Sequence, residues 1–109
     1  MSIRFDAFRP QGTVSLQLED GTPVLYLQGD IDGATVSSVD ERSWSRLEGP
    51  VGVVDASALT YINSEGVALL LRLTEPARSS GLQPELREPP RILLRLLELT
   101  GLHVLFRHP

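Results

Sequence analysis

A chain of 109 residues has the length of one domain, enough to bury a core with little stability to spare. Its fourteen acidic residues outnumber ten basic ones, every one of them arginine, and the net charge of −4 with no basic block argues against nucleic-acid binding. The absence of cysteine removes disulfides, thiolate nucleophiles and Cys-based metal centres, and two histidines (His103 and His108) supply a histidine metal site poorly, so no cofactor or metal is expected.

No run of roughly 18 apolar residues is present, and the N-terminus lacks the apolar stretch of a signal peptide, so a cytoplasmic location without direct membrane insertion is expected. Residues 1–12, with Ile3, Phe5 and Phe8 ahead of Pro10-Gln-Gly12, read as an N-terminal arm on a sheet edge or at an oligomer contact. Both a monomer and a homodimer fit that arm. Residues 13–109 form the single domain.

Val14, Leu16 and Leu18 alternate with polar residues, the period of a half-buried strand. Asp20-Gly21 is a tight-turn signal, and Val24 to Leu27 returns as the second strand of a hairpin, with Pro23 at its mouth. Asp30 and Asp32 then read as a solvated acidic turn, because the residues after them lack calcium-loop spacing. Thr35 is the expected N-cap of a first helix whose inner face carries Val36, Val39, Ser43 and Leu47, with Trp44 covering the core edge.

After Gly49-Pro50, Val51 to Val54 has the continuous apolar character of a buried parallel strand. A loop from Asp55 is expected to turn Leu59, Tyr61 and Ile62 inwards before a second helix opens at Asn63-Ser64-Glu65-Gly66. Val67, Leu69, Leu70, Leu71 and Leu73 place that helix in the core, and Pro76 predicts a kink or an end near Thr74 or Glu75. Gln83 to Arg87, interrupted by Pro84, reads as an edge strand. Pro89-Pro90 starts a third helix with Ile92, Leu93, Leu96, Leu97 and Leu99 inward, Gly101 caps it, and Val104 to Phe106 forms a short last strand. The order predicts an α/β fold: a mixed four- to five-stranded sheet with an N-terminal hairpin and about three crossover helices.

Motifs for catalysis are absent: there is no phosphate loop, dinucleotide fingerprint or nucleophile elbow. Ser64, His103 and Asp55 supply triad residue types, but their spacing gives no support to a triad, and the chain is read as a non-enzymatic binding or switching module.

Four blocks give that module a resemblance. Gly29-Asp-Ile-Asp32-Gly-Ala-Thr35 is similar to the Gly-Glu/Asp-Leu-Asp turn of the STAS domain, and Val53-Val-Asp-Ala-Ser57 to its strand ending in Asp-Leu-Ser. Tyr61-Ile-Asn-Ser-Glu-Gly66 falls on the family's Phe-Ile-Asp-Ser-Ser/Thr-Gly, and Leu96-Leu-Glu-Leu-Thr-Gly-Leu102 on its Leu-Leu-x-x-Thr/Ser-Gly-Leu. In order and at this spacing, from about residue 14 to 106, they make the chain resemble the stand-alone anti-sigma factor antagonists of that family.

The resemblance implies a STAS-like fold and partner switching with an anti-sigma factor, often one with a kinase fold. Such a kinase phosphorylates the second hydroxyl residue of the third block and thereby weakens binding. Asp30, Asp32, Asn63, Ser64, Glu65 and Gly66 are the implied partner-binding residues. Here Asn63 stands for the usual Asp and Glu65 occupies the phosphoacceptor position, where a serine kinase has no hydroxyl to modify. Ser64 is the secondary candidate for phosphorylation, with capping or loop hydrogen bonding as its simpler role. A Glu in a helix's first turn is also favourable by roughly 0.3–1 kcal/mol whatever the function. The expected function is a bacterial transcription-regulating antagonist held in one state by Glu65. The alternative is a STAS subunit of a stress-signalling scaffold or lipid-transport ABC complex.

Overall fold

Asp20 and Gly21 both adopt positive φ, 52° and 80°, the conformation a two-residue hairpin turn requires. They join β1 (Gly12–Glu19) to β2 (Thr22–Ile31) in one unbroken antiparallel register, from Gly12 opposite Gly29 to Glu19 opposite Thr22. These relations come from a computed structural model that describes residues 11–44 and 49–108. Strand β2 pairs in parallel with β3 (Val53–Ile62), which pairs in parallel with β4 (Glu85–Arg87), giving one sheet in the order β1-β2-β3-β4. Pro23 precedes the first parallel pair, Val24 with Val53, so its missing N–H interrupts no bond to β3.

Helices α1 (Gly33–Ser38) and α2 (Glu41–Trp44) lie in the crossover from β2 to β3, and α3 (Ser64–Ser79) in that from β3 to β4. Helix α4 (Arg91–Leu99) follows. The hairpin, the mixed sheet and the edge position of β4 are as the sequence predicts. Leu25, Leu27, Ile31, Val54, Leu59 and Ile62 of the sheet form the core with Leu69 and Leu70 of α3 and Leu93 and Leu97 of α4. At about 25 cal/mol per Å2 of apolar surface removed from water, such burial is the main term holding the layers together.

Several expectations are corrected. The stretch after Asp55 is not a loop: β3 runs on to Ile62, held by backbone pairing to β2 through Gln28–Ala58, Gly29–Leu59, Asp30–Tyr61 and Ile31–Ile62. Register shifts on either side of Gln28 and Gly29 break the simple alternation, so Leu59 and Ile62 turn inward while Tyr61 stays 43% exposed. Asp32, not Thr35, caps the first helix; Thr35 is buried in the first turn. That helix stops at Ser38, whose hydroxyl donates to the Thr35 carbonyl at 2.6 Å, and Val39 is extended, so the long amphipathic helix becomes two short ones. Leu47 and the side chains of Ser43 and Trp44 lie outside the described residues, as do Ile3, Phe5 and Phe8 of the arm. Gly12, assigned to the arm, opens β1.

Helix α3 does not end at Thr74 or Glu75 but continues past Pro76 to Ser79. Pro76 has no N–H to give the Arg72 carbonyl, and side chains brace the turns around it: Thr74 Oγ1 donates to the Leu70 carbonyl at 2.7 Å and Arg78 Nη2 to the Leu71 carbonyl at 2.6 Å. Arg78 also lies 5.8 Å from the centre of the Phe106 ring. Leu102–Leu105 forms a 3-10 turn in place of the expected strand, and beyond it Arg107 makes an isolated parallel bridge to Glu85 of β4. Leu18 (68% exposed) and Leu99 (74%) face solvent, against the sequence reading.

Candidate functional site

Strands β2 and β3 end side by side, Ile31 opposite Ile62, and the next residue of each caps a helix. Asp32 Oδ1 accepts from the Ala34 and Thr35 N–H groups at 3.1 and 3.3 Å, and Asn63 Oδ1 accepts from the Gly66 N–H at 3.1 Å. The Asn63 N–H donates to the Ile31 carbonyl at 3.4 Å, tying one cap to the other strand's end. Two helix starts thus share the carboxyl end of one parallel strand pair, the place where open α/β sheets present their functional groups.

Four of the sequence-predicted residues converge tightly there. Gly66 is buried, and a Cβ at that position would lie 2.5 Å from the Ile31 carbonyl oxygen and 2.7 Å from Ile62 Cγ1. The first turn of α3 approaches β2 so closely that only glycine fits. Glu65, one residue earlier and exposed, reaches across to the start of α1: a Cβ on Gly33 would stand 2.6 Å from its Oε2. The Glu65 carboxylate therefore rests on the Gly33 backbone and closes the seam between the helices. Asn63, rather than Ser64, is the cap of α3; Ser64 is the first helical residue and is exposed.

Asp30 is anchored beside them. Its Oδ1 accepts from Thr60 Oγ1 at 2.6 Å, and its carbonyl accepts from the buried Thr35 hydroxyl at 2.9 Å. Gly33 and Thr60 are the residues that sequence reasoning missed. Both make contacts across about thirty positions of chain, so no local spacing marks them. The rim consequently carries Asp30, Asp32 and Glu65 with Asn63, Ser64 and Tyr61, and none of these carboxylates meets an arginine among the described residues. Among the same residues no three His, Asp or Glu side chains converge at metal-ligating distance. A rim of acceptors and two hydroxyls, those of Tyr61 and Ser64, over two helix starts can receive donors from a docking protein surface.

A second carboxylate group lies near the other end of β3. Tyr26, Asp55 and Arg87 stand in one row across β2, β3 and β4. Arg87 Nη1 is 3.4 Å from Asp55 Oδ2 and 3.3 Å from Glu19 Oε1, and the Tyr26 hydroxyl bonds Glu19. Asp55 Oδ1 also accepts from the Ser57 hydroxyl at 2.6 Å and the Ser57 N–H at 3.0 Å. Burial works to raise the Asp55 carboxyl, but the two Ser57 donors and the Arg87 guanidinium outweigh it and hold it below the usual aspartate range. Seven residues of strand, roughly 23 Å, separate Asp55 from Ile62, so Asp55 and Ser64 are not neighbours.

Comparison with known proteins adds to this geometry. Over 88% of this chain and 87% of the other, the fold superimposes on the anti-sigma factor antagonist SpoIIAA in its unphosphorylated form, with a TM-score of 0.66 at 19% identity. The osmosensory protein A of Mycobacterium tuberculosis is 33% identical over 75 residues, 67% of this chain, and the chain spans about half (47%) of that relative's length. No helix among the described residues is long and apolar enough to cross a membrane. A family model described as "Mlab, STAS domain" matches residues 14–107, nearly the whole chain, and the chain belongs to the STAS domain family.

Proposed function

We propose that this protein is a regulatory protein-binding module of the anti-sigma factor antagonist kind, acting in the cytoplasm by docking rather than by catalysis, and not switched by the usual kinase step. The observation that carries this reading is Glu65. It sits in the first turn of α3, after the capping Asn63, where the resembling antagonists carry the phosphorylated hydroxyl, and its carboxylate lies on the start of α1. A glutamate holds a charge near −1 with two acceptor oxygens, against about −1.5 to −2 and three for a phosphate, so it imitates the modified state in part and permanently. The partner is an anti-sigma factor, and Asp30, Asp32, Asn63, Ser64, Glu65 and Gly66 form or shape the face it meets.

Incubation with an anti-sigma serine kinase and ATP is expected to leave the mass of the wild-type protein unchanged, while Glu65→Ser gains one phosphate. A phosphate found on wild-type Ser64 by mass spectrometry would sink the proposal.

The similarity to part of a longer osmosensory protein favours a second reading, a STAS subunit that docks within a larger assembly without phosphorylation. Affinity capture from the native host separates the two. A sigma-regulatory kinase recovered with the chain supports the first reading, and scaffold or transporter subunits support the second.

A further inference from the structure

Helix α4 carries a surface that the site above does not use. Seven arginines fall among the described residues. Arg72 pairs with Glu41, Arg78 with Glu75, Arg87 with Glu19 and Asp55, and Arg107 with Glu85, while Arg42 is also engaged. Arg91 and Arg95 have no such partner in the described structure, and both are exposed. They stand one turn apart on the outward side of α4, lining with Leu94 and Glu98 a shallow cleft of about 290 Å3. Leu99, four residues beyond Arg95 and 74% exposed, extends the stripe with an apolar end, and the inner side is filled by buried Leu93 and Leu97.

The charges on this helix run against its own stability. Its first turn contains no acid and begins with Arg91, its last turn contains no base and includes Glu98. Both placements oppose the helix dipole. In an acidic chain whose other described arginines are all engaged, two unpaired guanidiniums in that order are unexplained by folding.

We propose that the outward face of α4 is a docking site for an acidic amphipathic helix of a partner protein. Carboxylates spaced one turn apart on such a helix match the one-turn spacing of Arg91 and Arg95, each guanidinium being able to grip a carboxylate with two donors. Leu94 and Leu99 flank the pair with apolar contact. An anionic lipid surface fits less well, because basic segments that hold membranes carry about four to eight positive residues and this face carries two on a chain of net charge −4. This surface is independent of Glu65, so its test can fail while the reading of α3 stands.

The test uses the intact chain, isotope-labelled, and two synthetic amphipathic helices of roughly 18 residues that share their leucines. One carries Glu pairs four residues apart, the other Lys at the same positions. The Glu peptide is expected to shift the amide signals of residues 91–99, to weaken as NaCl rises from about 50 to about 500 mM, and to lose about tenfold or more in affinity with Arg91→Glu/Arg95→Glu. The double variant is expected to melt no lower than wild type, since Arg91→Glu places an acid in the first turn, and Glu65→Gln is expected to leave peptide binding unchanged. Equal binding of the Lys peptide, shifts elsewhere on the protein, or insensitivity to the double reversal would overturn the proposal. So would association with vesicles of about one-third phosphatidylglycerol in the absence of peptide binding, or concentration-dependent self-association through the same residues.

Discussion

The two ends of β3 treat carboxylates in opposite ways. Near its start, Asp55 is buried and met by Ser57 and by Arg87, which also holds Glu19. Past its end and on the neighbouring strand, Asp30, Asp32 and Glu65 meet a hydroxyl, backbone N–H groups and a glycine, and among the described residues no cation. A paired buried carboxylate is spent on the fold, since removing Arg87 would leave Asp55 buried without a counter-charge. An unpaired carboxylate at the rim costs little to hold and stays available to a partner. Substitutions at the two ends should therefore separate stability from binding.

The largest expected effect tests whether the rim depends on close packing beneath it. Gly66→Ala puts a Cβ against the Ile31 carbonyl, backbone that cannot swing away, and is expected to destabilise by about 2–3 kcal/mol in urea unfolding. A change below about 0.5 kcal/mol would mean that α3 lies farther from β2 than described.

Next comes Asp55→Asn, expected to cost about 1–2 kcal/mol at neutral pH, because Asn keeps an acceptor for Ser57 and gives up the charge that faces Arg87. Since the folded-state Asp55 carboxyl is held below its ordinary value, its contribution is fully present above the unfolded value and is lost as pH falls through the folded one. The wild type should therefore lose this stability below about pH 4, and the variant should show a flatter acid limb. Identical acid limbs would show that the cluster is not what holds this end of the sheet.

Cap removal lies in the middle. Asn63→Ala and Asp32→Ala are each expected to cost about 1 kcal/mol, and Asn63→Asp close to nothing, because Asp accepts the same Gly66 N–H. The two losses should differ in reach. Helix α3 has sixteen residues packed into the core, so its cap is read in global unfolding, whereas α1 has six and should open locally in hydrogen exchange.

How much of this was legible in the sequence follows the same division. The hairpin could be read because alternation and Asp20-Gly21 are local signals, and the start of α3 because Asn63, Glu65 and Gly66 lie within one turn. The second half of β3 could not, because Ser57, Ala58 and Thr60 are small and its register shifts break the period; backbone pairing to β2 holds it. The end that Pro76 suggests near Thr74 or Glu75 does not occur, because α3 is held on both sides of it by core packing and by the Thr74 and Arg78 side chains on the Leu70 and Leu71 carbonyls, contacts that no local spacing marks. Thr35 looked like a cap because Asp32 stands only three residues earlier in an acidic turn, and the chain entered the helix sooner. Thr60 on Asp30 and Glu65 on Gly33 are thirty or more residues apart, set by strand register and not by spacing.

The smallest effect on stability bears most directly on function. Gly33→Ala would crowd the end of the Glu65 side chain, which is flexible and exposed, and not any backbone. Gly33 has no left-handed conformation to protect, and Ala favours a helix over Gly, so the change should stay within about 0.5 kcal/mol of wild type. Glu65→Ala should be as mild, because a first-turn acid at an exposed site is worth at most about 1 kcal/mol. The double variant tests whether the two residues touch. If the Glu65 carboxylate rests on Gly33, the alanine methyl is accommodated more easily once the carboxylate is gone, and the double-mutant cycle shows a coupling outside experimental error. In affinity for an anti-sigma partner, Gly33→Ala should act like a repositioned Glu65, shifting binding without loss of fold. Additive stabilities together with unchanged binding would place the charge of Glu65 in open solvent, and its part in docking would then rest on charge alone and not on where the seam holds it.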